Sequence, residues 1–291
     1  MSSESHSLEK MVNLVDDSSI ASIQNVVSGI VRIINDVNSS VKDLTEVIKL
    51  DPPLVAKILK VANSAYYASL QTISKIDEAV MRIGFNQLNF IALGQKVHDV
   101  FDQKKTIKGY SRNLLWKHSV AVGILGKIII ENSSGKSGDD MYAAGLLHDI
   151  GIIAEDQFLK KEDFVKALGT VDNGDKNLHE IENEILGYNH ASLGQAILEN
   201  WNFPNELSHA VGCHHNYIKD GEEGLETASA LFLADYLCQK NGYGYSDSPF
   251  LDENLFNSCL KQLGITPDDT ETFMTELAEE ISKIEKHNFF G

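Results

Sequence analysis

Helix-capping residues followed by periodic apolar positions are the feature that most narrows the fold of this chain. Ser40 with Asp43 matches a capping box, and Asp51 followed by Pro52 matches the start of the next helix. After each start, apolar residues recur at the three- and four-residue spacing of one helical face. We find no convincing run of alternating apolar and polar residues, which a half-buried strand requires. The sequence therefore predicts an all-α protein.

Further helix boundaries follow from the same signals. Ser74 with Asp77 predicts another capped start, and Gly84 predicts the end of that helix. Asn86 is then the expected cap of the next helix. Near the end of the chain, residues 267–280 intersperse carboxylates with apolar positions, which predicts an amphipathic surface helix.

Composition and charge exclude several classes of protein. A length of 291 residues allows one large or two modest domains. The formal net charge of −17 argues against a nucleic-acid binder, because such proteins carry a basic patch. No stretch approaches the roughly 20 consecutive apolar residues of a membrane span. We therefore expect neither nucleic-acid nor membrane binding.

The cysteines and the first residues bear on the compartment. Cys213, Cys238 and Cys259 have no paired spacing, and residues 1–5 have neither a basic nor an apolar run. Both observations predict a cytoplasmic protein. Cys213 precedes a histidine and could be a ligand or a nucleophile, but we expect a buried, inert thiol.

Polar stretches indicate where the chain divides. The stretch 103–109 predicts a boundary between an N-terminal helical lobe, residues 1–108, and a second unit, residues 109–291; a loop within one helical body is the alternative. A second stretch, 132–140, contains Gly-Lys-Ser without the full phosphate-loop pattern, so we interpret it as a solvated turn. Residues 219–221 and 242–247 are expected to be loops.

A histidine–aspartate pair, His148-Asp149, lies inside the apolar run 146–151. Burying charge is costly unless the group is paired or coordinated, and imidazole and carboxylate are both good ligands for divalent cations. A single pair of this kind is better explained as hydrogen-bonded core residues. The pair therefore points to a metal only if other ligands accompany it.

Further potential ligands do lie in helix-patterned segments on either side. They are His118, His190, His214, His215 and Asp235. Together with the pair they make seven candidates within about 120 residues. This density predicts one converging metal site.

The N-terminal half also resembles a known family. The segment 47–67, with Asp-Pro-Pro-Leu and Ala-Asn-Ser-Ala-Tyr-Tyr, and its continuation at 76–84 are similar to the HDOD family. The resemblance extends over roughly residues 15–240. HDOD domains are helical relatives of the HD-domain phosphohydrolases and occur in bacterial signal transduction. The resemblance implies an HD-domain-like helical bundle with an N-terminal lobe.

The resemblance also assigns roles to the candidate ligands. His118, His148, Asp149 and Asp235 match the ligands of one cation in HD phosphohydrolases. The ligands that HD-GYP phosphodiesterases add for a second cation are matched by His190, His214 and His215. Asp149 is the expected bridge. One or two ions of iron, manganese or zinc are implied, since this set of nitrogen and oxygen ligands suits them better than calcium.

The activity implied by such a site is metal-assisted hydrolysis of a phosphate ester. Asp149 would be a catalytic residue, and Lys117 is either a phosphate contact or a solvated helix lysine. Two departures weaken this reading. Ile152 stands where HD-GYP enzymes carry a lysine, and residues 216–221 lack the Gly-Tyr-Pro signature.

Two classes of function stay open. Many HDOD proteins have lost several ligands and act as non-catalytic regulators, so we favour a signal-transduction regulator that contacts other signalling proteins. The alternative is a metal-dependent phosphohydrolase or phosphodiesterase that acts on a nucleotide or another phosphate ester. A third possibility is a metal- or redox-sensing switch.

Overall fold

The computed structural model describes residues 3–36, 38–67, 72–101, 106–107, 110–172, 174, 176–216 and 224–287. Within them nearly all of the regular secondary structure is α-helix, which confirms the all-α prediction. The helices are α1 Ser3–Asp16, α2 Gln24–Asn35, α3 Val41–Lys49, α4 Pro52–Ala62, α5 Ile76–Ile83, α6 Phe85–Phe101, α7 Arg112–Ser134, α8 Asp139–Leu147, α9 Ile150–Phe158, α10 Lys161–Asp172, α11 Leu178–Leu186, α12 His190–Asn200, α13 Asn205–Cys213, α14 Leu225–Lys240, α15 Glu253–Leu263 and α16 Pro267–His287.

Short elements complete the described part of the chain. Single 3-10 turns span Ala21–Ile23 and Ala65–Tyr67. The two-residue strands β1 Thr106–Ile107 and β2 Tyr110–Ser111 pair antiparallel, with Ile107 opposite Tyr110. This hairpin leads directly into α7.

Local sequence signals place several helix ends correctly. Ser40 and Asp43 form the predicted capping box, in which Asp43 accepts the Ser40 backbone N–H at 2.8 Å. Asp51 accepts the Leu54 backbone N–H at 2.9 Å, with proline in the first turn of α4. Gly84 ends α5 at φ +85°, a conformation that favours glycine.

Two predicted caps were wrong. The residue before α5 is Lys75, which makes no side-chain cap, so Ser74 lies one position too early. The α5 start instead coincides with the buried Ile76, whose packing outweighs the local signal. Helix α6 begins at Phe85, directly after Gly84, so Asn86 lies inside its first turn.

The predicted boundary at 103–109 falls largely outside the described residues. Of this stretch, the structure describes only β1, residues 106–107. The division into residues 1–108 and 109–291 therefore stays a prediction. Helices from both halves share one continuous apolar core, in which α1 packs on α12 and α2 packs on α8. The loop expected at 219–221 also lies outside the described residues.

Helix α7 is the central element of the second half. It packs against α8, α14 and α16. It is long and apolar enough to cross a membrane, but 78% of its most apolar window is buried inside the protein, as in the core helix of a soluble protein. Close contact with α8 depends on glycine, since a Cβ on Gly145 would lie 2.4 Å from the Gly123 Cα. This contact brings His118 of α7 near the end of α8.

The C-terminal helix α16 is amphipathic, as predicted. Phe273, Leu277 and Ile284 are buried, whereas Glu271 and Glu276 are exposed. The polar stretch 132–140 forms the end of α7, a turn, and the start of α8, with Gly135 in the left-handed conformation. This agrees with the expected solvated turn.

Candidate metal centre

The first group of candidate ligands converges from three helices. His118 lies in α7, Asp235 in α14, and His148 with Asp149 in the break between α8 and α9. The His118 Nε2 atom is 2.9 Å from Asp235 Oδ1 and 3.9 Å from Asp149 Oδ2. His148 Nε2 is 3.1 Å from Asp149 Oδ2 and 4.0 Å from Asp235 Oδ1. Four potential ligand atoms thus surround one point.

The second group lies on the other side of Asp149. His190 is the first residue of α12, and His214 and His215 follow α13. His190 Nε2 is 2.8 Å from His215 Nε2, and the Nε2 atoms of His190 and His214 are each 3.7 Å from Asp149 Oδ1. Asp149 thus turns one carboxylate oxygen toward each group, as a bridging ligand would. The structure brings all seven predicted ligands together; their role as ligands stays a prediction.

Close helix packing creates this arrangement. The backbone of Gly151, two residues after Asp149, touches α12 where His190 begins it. A Cβ on Gly151 would lie 2.1 Å from the His190 carbonyl oxygen, so no larger residue fits here without a shift. The glycine after the His-Asp pair therefore sets the distance between the two groups.

Most of the histidine rings are oriented by a hydrogen bond at Nδ1. An oxygen that can only accept makes Nδ1 the donor and leaves Nε2 directed into the cluster. The pairs are His118 with the Tyr243 carbonyl (3.1 Å), His148 with the Gly145 carbonyl (2.7 Å), His214 with the Val211 carbonyl (2.6 Å) and His190 with the Glu182 carboxylate (2.6 Å). This is the arrangement of metal-binding histidines.

Several polar atoms in the cluster are buried without a hydrogen-bond partner. They are Nε2 of His148 and His214, Oδ1 of Asp149 and Oδ2 of Asp247. An unsatisfied buried polar group costs about 1–3 kcal/mol, and more when it is charged. All four residues belong to three-residue groups whose ligand atoms lie within 4.8 Å of one another. The clusters could therefore hold a metal, and bound cations would give these atoms partners.

The buried carboxylates also raise the pKa of two histidines of the cluster. Burial lowers the pKa of His118, but the hydrogen bond with Asp235 and nearby carboxylates raise it to about 9. Burial likewise opposes charging of His190, yet Glu182 raises its pKa to about 10. Without a cation these rings hold protons that balance the buried carboxylates. A divalent cation would displace those protons.

His214 shows the opposite behaviour. Burial and the charge of His215 lower its pKa to about 4, so its ring is neutral at pH 7. A neutral ring with Nδ1 donating to a carbonyl presents Nε2 as an acceptor. His214 is therefore ready to bind a cation without first losing a proton.

Two candidates do not join the cluster. Lys117 is exposed on α7, since one residue along a helix rotates the side chain by about 100° from His118. The half-buried Cys213 lies with its sulfur 3.7 Å from the His209 ring.

Ile152 is fully buried, so an apolar side chain occupies the lysine position of HD-GYP enzymes. Residues 217–221 of the segment compared with the Gly-Tyr-Pro signature lie outside the described residues.

Other residues around the cluster were missed in the sequence. Asp247 lies in the loop after α14, Gln239 lies near the end of α14, and His179 lies in α11. The His179 ring stacks on the His215 ring, with 4.5 Å between the ring centroids. None has a periodic or motif signal. Glu182 did carry one, because it stands four residues after the buried Leu178 and therefore lies on the apolar face of α11. A carboxylate at such a position indicates a buried partner.

Comparisons with known proteins agree with this architecture. An HDOD domain protein of unknown function from Geobacter sulfurreducens has a TM-score of 0.72 at 23% identity, over 89% of each chain. A candidate signal transduction protein from Marinobacter aquaeolei VT8 has a TM-score of 0.70 at 22% identity, over 91% of this chain and 58% of that one. At these identities the likeness concerns the fold.

An uncharacterized protein of Treponema pallidum (strain Nichols) is 25% identical over 216 residues, which are 70% of this chain. The match spans only 39% of the length of that relative. The model of the HDOD domain matches residues 20–217, more than half of the chain. The chain therefore belongs to the HDOD domain family.

Proposed function

We propose that this protein is a signal-transduction regulator that retains an HD-type site for one or two divalent cations. His118, His148, Asp149 and Asp235 would hold the first cation, and Asp149 would bridge to a second. The ligands of the second would include His190, His214 and His215. The observation that carries the proposal is the convergence of these side chains, with four imidazole rings oriented by Nδ1 hydrogen bonds.

The spacing of the ligand atoms supports cation binding. Bonds of about 2.0–2.2 Å to a shared cation place neighbouring ligand atoms about 3–3.5 Å apart. The separations of 2.9, 3.1, 3.9 and 4.0 Å within the first group, and of 2.8 and 3.7 Å within the second, bracket that range. Imidazole and carboxylate together suit iron, manganese or zinc.

Burial and the absent lysine favour regulation over turnover. His148 is 1% exposed, Asp149 2% and Asp235 4%, so the cluster lies in the interior of the protein. Ile152 cannot donate to a phosphate, and Lys117 lies outside the cluster. A cation in this position would stabilise the contact between α8, α12 and α14. Cation binding would thereby shift the protein toward one conformation of the surface that signalling partners contact.

The second candidate function is a metal-dependent phosphohydrolase acting on a nucleotide or another phosphate ester. It is favoured by the bridging position of Asp149 between two groups that are both rich in histidine. When bound, paired cations supply a Lewis acid and lower the pKa of bound water. In that case Asp149 would be the bridging catalytic ligand, as the resemblance implies.

Metal analysis combined with activity assays separates these functions. The purified protein is loaded with Mn²⁺ or Fe²⁺, its metal content is measured, and hydrolysis of phosphomonoesters and cyclic dinucleotides is followed. For a regulator we expect metal uptake, no turnover, and slower hydrogen exchange in α8, α12 and α14 upon loading. Asp149→Asn should abolish uptake, whereas the exposed Asp268→Asn in α16 should not.

Other outcomes would change the conclusion. If the wild-type protein takes up no cation from an excess, the retained metal site is refuted. If the loaded protein hydrolyses a phosphate ester and Asp149→Ala abolishes this activity, the phosphohydrolase replaces the purely regulatory role. Metal uptake with neither turnover nor any change in exchange would contradict the regulatory coupling.

A further inference from the structure

The loop at residues 242–248, which follows α14, contacts both groups of the candidate centre. At its start, the Tyr243 carbonyl accepts from His118 Nδ1. The next residue, Gly244, lies against α7 at φ +81°, where a Cβ would be 2.5 Å from the His118 backbone nitrogen. The Tyr245 N–H then donates to the Leu114 carbonyl at 3.1 Å. This part of the loop is therefore fastened to α7 beside the first group.

The other end of the loop brings Asp247 to the second group. Asp247 Oδ2 is 3.4 Å from His190 Nε2 and 3.3 Å from His215 Nε2. Asp247 is 3% exposed, and this oxygen has no hydrogen-bond partner. Its backbone carbonyl accepts the Leu178 N–H at 2.8 Å, which anchors the residue to α11. A buried carboxylate oxygen directed at two imidazole nitrogens is placed as a ligand would be.

The amide of Gln239 connects Asp247 with the first group. Its Nε2 atom donates to Asp247 Oδ1 at 2.8 Å and to both carboxylate oxygens of Asp235 at 3.0 Å. Its Oε1 atom accepts from the Ser246 hydroxyl at 3.0 Å and the Ser248 N–H at 3.1 Å. Both ends of the amide are thus used, which fixes its orientation. The bond to Asp247 Oδ1 leaves Oδ2 for the second group.

We propose that Asp247 is an additional ligand of the second cation and that Gln239 is the positioning residue that links it to Asp235. This inference rests on the proposed function, because it requires that the chain hold cations. The second position would then comprise three imidazoles and the carboxylates of Asp149 and Asp247, a set that suits iron, manganese or zinc. The single amide of Gln239 hydrogen-bonds a carboxylate of each position, that of Asp235 and that of Asp247. The two positions should therefore bind cooperatively.

The variant Asp247→Asn tests the ligand role. Asparagine keeps the shape of the side chain and an oxygen that can accept from Gln239, but it lacks the second anionic oxygen. In a calorimetric titration with Mn²⁺, we expect the second equivalent to bind at least about 10-fold more weakly while the first is retained. Glu276→Gln, which removes one exposed charge from α16, is the matched control and should bind as the wild type does.

Three results of that titration would overturn the ligand role. In the first, Asp247→Asn binds two equivalents of Mn²⁺ with wild-type affinity. In the second, the wild-type protein binds only one equivalent. Either result leaves the proposed function intact. Uptake of no cation by the wild type would refute the proposed function as well. Circular dichroism melting of each variant without metal establishes that a weaker affinity does not come from unfolding.

The variant Gln239→Leu tests the positioning role. Both equivalents should bind about 10-fold more weakly, and the cooperativity between them should disappear, because the amide orients a carboxylate of each group. The exposed Gln262→Leu in α15 is the matched control. Unchanged affinities in Gln239→Leu, or retained cooperativity, would refute the link between the two positions.

Discussion

The Glu182 carboxylate accepts two hydrogen bonds from His190, one from the ring Nδ1 at 2.6 Å and one from the backbone N–H at 2.8 Å. One oxygen thus fixes both the ring and the start of α12. A second buried carboxyl, that of Glu155, lies beside Glu182. Burial and the neighbouring Glu182 charge raise the pKa of Glu155 well above its usual range.

Replacing Glu182 tests this orientation. Glu182→Gln removes the charge that holds the proton on His190 Nδ1, so the ring loses basicity and is less firmly oriented. We expect the cation held by His190 to bind about 10- to 100-fold more weakly. Titration with Mn²⁺ measures the effect. Glu184→Gln, in the same helix but exposed, should bind normally; an equal loss in both variants would contradict the role of Glu182.

The glycine after the His-Asp pair is required for packing. Gly151→Ala places a Cβ against the His190 carbonyl, so α9 and α12 must move apart. We expect the free energy of unfolding to fall by about 1–3 kcal/mol, together with weaker binding of the second cation. Urea denaturation gives the first quantity and metal titration the second. The control is Gly169→Ala in α10, where a Cβ meets nothing within 4 Å; equal destabilisation of both variants would argue against the contact with His190.

Asp140 gives a pH-dependent prediction that is independent of the metal. Burial, then the charges of Asp139 and Glu206, raise its pKa from 3.8 to about 6. Because the folded-state pKa is the higher one, the stabilising contribution is complete below pH 3.8 and is lost as the pH rises through 6. Asp140→Asn should therefore raise the free energy of unfolding at pH 8 by about 1–3 kcal/mol. Denaturation at pH 4 should show little of this gain; an equal gain at both pH values would refute the assignment.

Removal of the metal should destabilise the fold. A ligand that binds only the folded state stabilises it by about 2.7 kcal/mol at 100 times its Kd. For a chain of this size each kcal/mol corresponds to roughly 2–4 °C, so chelation should lower Tm by about 5–10 °C. Calorimetry with and without a chelator measures this shift. The Asp149→Asn variant should show no shift on chelation, and a shift that persists in it would mean that the metal binds elsewhere.

Local signals in the sequence were sufficient for much of the fold. A capping box such as Ser40 with Asp43, or proline after Asp51, acts within one helical turn, so its effect does not depend on the rest of the chain. The errors at Ser74 and Asn86 arose where burial of Ile76 and the direct junction of α5 with α6 set the boundary. Packing energies of this kind exceed the contribution of a cap.

The sequence by itself determined the helical class, the family resemblance, and the seven polar residues that had to find partners in an apolar interior. Histidine and aspartate in such segments are conspicuous because burying them alone is costly. Their convergence on the two sides of Asp149 was decided by the tertiary structure, through contacts such as that between Gly151 and His190. Asp247 reaches His190 and His215 across long sequence separations. No local pattern encodes such pairings, because they form only when the helices pack.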